Sequence, residues 1–420
     1  NNTLRFTLSI SATTLYYPFF GVGGTNNSSY FMYLNAGPDS TFGGNKTAGG
    51  NADENGFGDF FYSPPTGFLA LSSANLPISA DIDPAGDDGA DENPQKQFNA
   101  VAYDSTGDGQ SITGVGFQPD LVWIKCRSDD QGNGLFDSSR GTSKVLESNS
   151  TNAESTSSGL TSFDSDGYTM GTLFNQSGRQ YVSWCWRANG GTTASNTDGA
   201  TTSTVQANTK AGFSISQFSN ASGATTIGHG LGKAPSMYVI KIADGGGSSW
   251  GVYHKSLGAT QYVRWNSNAG SATASNYFND TEPTSTVLSV GSTWTGTTIM
   301  CYAWAEIEGY SKFGSYEGNG NDDGTFIYTG FRPRMWFFKE IDSADDWAVY
   351  DTARDTANTG SNKVVRWEST EAEFDGTSRA VDVLSNGLKI RTSNGTINTS
   401  GSTYIFGAWG DVPFKYNNTF

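Results

Sequence analysis

One motif recurs three times along the chain. It reads GVGFQPDLVWIK from Gly114 to Lys125, HGLGKAPSMYVIK from His229 to Lys241 and TGFRPRMWFFK from Thr329 to Lys339. Aligned on Pro119, Pro235 and Pro333, the lysines Lys125, Lys241 and Lys339 coincide without a gap. Four more landmarks follow in the same order in each copy. An aromatic segment comes first: GLFDSSR at 134–140, WGVYHKS at 250–256 and WAVYDTAR at 347–354. Next are KVLESNS at 144–150, YVRWNSN at 262–268 and VVRWEST at 364–370. A Gly turn follows in FDSDGYT, VLSVGST and VLSNGLK. A closing strand then ends on Trp186, Trp304 or Trp409. Biased composition does not reproduce five ordered landmarks three times, so the chain is a repeat protein.

The landmarks are short and rich in β-branched and aromatic residues, with Gly turns between them, which is strand chemistry. Proline cannot donate to a ladder and marks the entry of each Pro-to-Lys strand. In YIFGAW, Tyr404, Phe406 and Ala408 alternate with Ile405, Gly407 and Trp409, giving two distinct faces. Helical periodicity is confined to room for one short turn around Glu371–Ala380. The expected fold class is all-β: tandem β-sandwich domains, three homologous repeats, preceded by a partial lectin-like β domain. The expected boundaries are 1–80 for that first domain, 81–94 for an acidic linker and 95–190 for repeat one. A Gly/Thr/Ser linker is expected over 191–206, repeat two over 207–306 and repeat three over 307–416. The short joint AEIEGYSKF predicts that repeats two and three pack as one rigid unit.

Charge and composition narrow the function. The 420 residues carry a formal net charge of −16, which repels phosphate backbones and anionic membranes and argues against nucleic acid as a partner. No apolar run is long enough for a membrane-spanning helix. Cys126, Cys185 and Cys301 form no disulfide framework and no zinc spacing, and the two histidines are His229 and His254. Buried thiols are expected, with a Cys126–Cys185 pair as the alternative if their strands face each other. Two distant histidines make no triad, and no nucleophile-elbow, zincin or P-loop string occurs, so the chain is read as a non-enzyme.

The candidate binding residues are few. Asp137 with Arg140, and Asp351 with Arg354, occupy equivalent places and read either as local salt bridges or as ligand contacts, while repeat two carries His254 there. Trp294 stands off the repeat pattern, in the turn STWTGTT, and is the candidate exposed aromatic contact; the repeat-position tryptophans read as core or as sugar-stacking rings. Asp81, Asp83, Asp87 and Asp88 crowd into DIDPAGDDGADEN. Such a loop is either a solvated linker or a calcium site, although its spacing is not that of an EF-hand. No other cofactor is implied.

The run GFQPDLVWIK, FDSSRG, LESNSTNAE, GLTSFDSDGYT and YVSWCWRA resembles a repeated module of bacteriophage virion appendage proteins of the tail-fibre type, common in marine and cyanobacterial phages. The segment FFYSPPTGFLALSSANLP resembles the junction such chains carry after a SPRY or concanavalin-like lectin domain, and YIFGAWGDVPFKY their terminal motif. The resemblance implies a virion or extracellular structural protein that self-assembles into a homo-oligomer such as a trimer. The implied partners are other virion proteins and a host-surface glycan, and no catalytic residue is implied. Two alternatives stand beside it: a bacterial adhesin or filament protein, and a polysaccharide-cleaving spike with two carboxylates across a groove.

Overall fold

The computed structural model describes residues 39–42, 44–70, 75, 93–355 and 363–410. Residues Asn1–Pro77 and Ile78–Phe420 form two separate units. The lectin-like expectation for the first 80 residues falls largely outside the described residues. Within 39–75 the chain is held by an isolated bridge between Asn51 and Phe60 and by the Asp53 carboxylate, which accepts from the Phe57 and Ala70 amides.

The second unit is all-β, with antiparallel sheets throughout. Each repeat contributes one large sheet and one small sheet. In repeat one the large sheet runs Phe98–Asp104, Gln180–Trp186, Leu121–Cys126, Asn133–Asp137, Lys144–Glu147 and Ser155–Thr156. Repeat three repeats this order with Ser311–Glu317, Thr403–Gly410, Pro333–Glu340, Trp347–Asp351, Lys363–Arg366 and Phe374–Asp375. In all three repeats the Pro-to-Lys strand and the Trp strand are direct neighbours in one register. Leu121 faces Trp186, Met237 faces Trp304 and Met335 faces Trp409.

The period-2 alternation of these strands decides which face goes where. Val122, Ile124, Cys126, Tyr181 and Cys185 point to the repeat's own small sheet and build a local core. Leu121, Trp123, Val182, Trp184 and Trp186 point the other way, into a cluster shared with residues of the other two repeats. Both faces are therefore buried, and Leu121–Cys126 is buried at every position. An antiparallel sheet with one wet face would alternate instead.

The shared cluster is aromatic. Trp186, Trp304 and Trp409, one from each repeat, sit mutually edge-on with ring centroids 5.5–6.1 Å apart. A second set joins Trp123 to Trp265 at 4.5 Å and to Trp367 at 4.2 Å, with Trp265 and Trp367 5.3 Å apart. Trp265 and Trp367 are repeat-equivalent. Repeat one has the buried Ser148 at that position, and Trp123 on a nearby strand fills the space instead. The three sheets thus close a ring around a tryptophan axis. All three repeats meet, where the sequence predicted a tandem series with repeats two and three packed as one rigid unit.

The expected linker 191–206 is also corrected. It contains the strands Ala194–Asn196 and most of Ser203–Asn208, which extend the large sheet of repeat two. Asp120 holds its start by accepting from the amides of Ala188, Gly190 and Gly191 at 2.7–2.9 Å, and a Thr/Ser-rich segment bound at both ends is a strand rather than a tether. The single helical turn expected near 371–380 is the 3-10 turn Thr377–Arg379.

Replacing Trp186 by alanine should cost about 3–5 kcal/mol, the range for buried aromatic truncation. Because its neighbours come from all three repeats, the loss should lower one shared unfolding transition of residues 93–410. Calorimetry that resolved a separate transition for repeat one would contradict the ring.

Candidate functional site

The candidate ligand residues of the sequence turn out to close the ring. Asp137 is fully buried, binds Arg140 through its side chain at 2.5 Å and caps the Arg140 amide at 2.9 Å. It also accepts from the Tyr302 hydroxyl of repeat two at 2.7 Å. Asp351 binds Arg354 at 2.7 Å, caps its amide, and accepts from the Trp184 indole of repeat one at 3.0 Å. Burial works against charge on both arginines, but the adjacent carboxylates outweigh it and hold each guanidinium above its ordinary pKa. With no exposed surface, neither aspartate is placed to touch a ligand, and the ligand reading of Asp137 and Asp351 is withdrawn.

Position 254 belongs to the same set. Trp184 and Tyr302 each lie two residues before the closing Trp, and the equivalent residue in repeat three is Gly407, which has no side chain to donate. A Cβ at Gly407 would collide with the Phe337 ring, so aromatic packing occupies that space. His254 supplies the donor instead. Its Nε2 lies 3.1 Å from the Phe406 carbonyl, and its Nδ1 accepts from the Ser256 amide at 3.2 Å. These two bonds assign the neutral, Nε2-protonated tautomer. Desolvation pushes the His254 pKa down to about 4.

Two further threefold sets run around the ring in the opposite sense, each residue reaching the neighbouring repeat that positions 137, 254 and 351 do not. Lys125 donates to the Ser369 carbonyl of repeat three, Lys339 to the Asn268 carbonyl of repeat two, and Lys241 to the Thr151 carbonyl of repeat one, at 3.0–3.1 Å. Burial lowers each ammonium to about 8. At the start of the following strand, the Trp250 and Trp347 indoles donate to carbonyls of repeats one and two, and the equivalent Asn133 amide donates to Trp367 of repeat three. The recurring lysine was the overlooked signal: it shares the parity of Leu121 and Trp123, so it must enter the same buried layer.

The other expectations are placed as follows. Trp294 is buried at 1 % exposure, and its indole donates to the Tyr277 carbonyl at 2.9 Å. It fills the room left by Gly251, where a Cβ would strike the indole, so the exposed-aromatic reading of Trp294 is wrong. All eleven tryptophans are at most 2 % exposed, which removes them as sugar-stacking surfaces. Cys126, Cys185 and Cys301 are buried free thiols. Asp81, Asp83, Asp87 and Asp88 lie outside the described residues; among the described residues no metal-ligating cluster occurs. No helix of the described residues is long and apolar enough to cross a membrane.

One concave feature is built by the ring itself. A polar bowl of about 490 Å³ opens where all three repeats meet, lined by Asn149 of repeat one, Asn266, Ser267 and Asn268 of repeat two, and Glu368 and Ser369 of repeat three. Three of these side chains do the same structural work. The Asn149 carboxamide oxygen accepts from the Asn133 amide at 2.8 Å, that of Asn266 from the Trp250 amide at 2.9 Å, and Glu368 Oε1 from the Trp347 amide at 3.2 Å. Burial raises the Glu368 carboxyl to about 8, and Asp346 adds to the rise.

A family model described as Domain of unknown function (DUF7483) matches residues 93–413, and the chain belongs to that family. Neither the curated proteins nor the solved structures provide a match.

Replacing Asp351 by alanine strands Arg354 and the Trp184 indole together and should cost about 3–5 kcal/mol; the guanidinium unfolding midpoint reads this. His254 predicts a pH dependence. Its unfolded pKa is 6.5 and its folded pKa about 4, so between these values the unfolded chain binds a proton that the native chain refuses. Stability from this group is complete above pH 6.5 and falls as pH drops toward 4, by about 3 kcal/mol in all. Melting temperatures of the wild type and His254→Gln, compared from pH 7 to 4.5, should differ in slope. Parallel slopes would refute the assignment.

Proposed function

We propose that this DUF7483 member is a structural virion appendage protein of the tail-fibre type, which self-assembles and attaches the particle to a host-surface glycan. The observation that carries the reading is where the buried ionisable groups go. Asp137, Arg140, His254, Asp351, Arg354 and the three lysines all tie strands and repeats together. Charge spent in this way makes a rigid body that presents outer surfaces, which suits binding and assembly. The phage-module strings of the sequence, ending in YIFGAWGDVPFKY, supply the virion context. The acidic balance fits an extracellular surface that stays soluble and avoids nucleic acid. A homo-oligomer and neighbouring virion proteins are the partners in this reading.

Immunogold electron microscopy of particles from the source culture tests it, using antibody against the full chain. Label on particle appendages, together with binding of the purified chain to intact host cells, is the expected result. Label confined to bacterial surfaces would make the chain a cellular adhesin. Light scattering of the purified chain should return a multiple of the 44.7 kDa chain mass, a trimer first among them.

A further inference from the structure

We propose that the polar bowl where the three repeats meet binds a neutral saccharide, gripped by Asn149, Asn266 and Glu368. This deepens the attachment reading and rests on it.

The argument begins with what each side chain has left over. Asn149 and Asn266 each use the carboxamide oxygen to cap a strand, leaving the amide nitrogen without a protein partner among the described residues. Glu368 uses Oε1 in the equivalent bond, and its Oε2 is buried without a protein donor, beside the carboxyl group of Asp346. A buried carboxyl oxygen left unbonded costs free energy, on the order of 1–3 kcal/mol, which a ligand hydroxyl would recover. The bowl thus offers two amide donors and one carboxyl, one from each repeat, on a rigid floor. Ser267, Asn268 and Ser369 add further hydrogen-bonding groups around them.

This inventory selects the ligand class. An apolar ligand would desolvate the bowl's amides and hydroxyls without replacing their bonds. An anionic sugar would meet Asp346, Glu368 and Glu371, three carboxyl groups against the single guanidinium of Arg366. That guanidinium is already engaged by Asp346 at 2.6 Å and by Glu371. A cation finds two of the three carboxylates neutralised by Arg366, and the third, Glu368, held largely protonated by its burial. Neutral vicinal hydroxyls, each able to donate and accept, match what is left. At about 490 Å³ the bowl falls in the size range of small-ligand sites and can take one or two sugar rings.

The test uses the full chain in calorimetric titration against neutral gluco-, galacto- and manno-oligosaccharides, with uronic-acid oligosaccharides as the charged comparison. Two variants separate the site from the fold. Asn268→Trp places a large ring at an exposed rim position whose side chain holds nothing else. Glu368→Ala removes the unbonded oxygen. Binding of a neutral oligosaccharide is expected, weakened about tenfold or more in each variant, as loss of a ligand hydrogen bond or of access implies. The melting temperature of Asn268→Trp should stay at the wild-type value, showing an intact ring. Neutral-sugar binding that stays within twofold in both variants would place the saccharide elsewhere and overturn the site. If the wild type binds host cells but no neutral oligosaccharide, the site falls while the attachment reading stands. If it binds neither, both fall.

Discussion

The structure depends on a β-sheet that has no wet face. In an ordinary sandwich the second face of each sheet is polar and meets solvent. Here that face carries Leu121, Trp123, Val182, Trp184 and Trp186 in repeat one, with counterparts in the other two repeats. A single repeat would expose several large aromatic surfaces at once, an aggregation hazard as an isolated unit. Three repeats remove the hazard together, because each sheet is covered by the other two. The family match from 93 to 413 takes in all three repeats, so the matched length corresponds to the closed ring rather than to a single sandwich.

Closure demands that polar groups in the buried layer be satisfied across boundaries. Burying an ammonium or a carboxylate is unfavourable unless partners are supplied in place. The ring supplies them in two opposed rotational senses: each lysine and each strand-edge donor binds one neighbouring repeat, while the residues at positions 137, 254 and 351, the latch, bind the other. The latch shows how the constraint outlives the chemistry. Asp137 and Asp351 accept from Tyr302 and Trp184, while His254 donates to the Phe406 backbone because Gly407 offers nothing. The direction of donation reverses, but the boundary stays bonded.

Much of the local architecture was legible in the sequence. Proline entry, β-branched runs and closing tryptophans identify the paired strands, since these signals are local and repeat three times. The third layer was harder to see. VWIK and YVSWCW are apolar without alternation, the pattern of strands buried on both faces, but a continuous run of this length also fits a core strand of a free-standing sandwich. Period and propensity carry no information about which chain segment covers a face. Trp294 failed for the opposite reason: its turn context suggested exposure, while the missing Cβ of Gly251, distant in sequence, made its pocket. The stretch 191–206 failed on composition, since Thr and Ser serve strands as readily as tethers, and Asp120, far upstream, decides the matter.

The candidate site was invisible for a related reason. Asn149, Asn266 and Glu368 are ordinary polar residues after a strand, and in Asn-rich sequence nothing singles them out. Their meaning comes from symmetry. Three equivalent loops brought together by the tryptophan axis each use one polar atom to cap a strand and keep one to spare. Divergence between the copies then becomes informative. Repeat three places a carboxyl where repeat one has Asn149 and repeat two has Asn266, in a setting that opposes its ionisation. Stability alone favours an amide or hydroxyl at that position, because either would satisfy the Trp347 amide without the desolvation penalty of an acid. At the meeting point of all three repeats that acid stands beside Asp346, and the proposed saccharide would give its spare oxygen a hydroxyl donor.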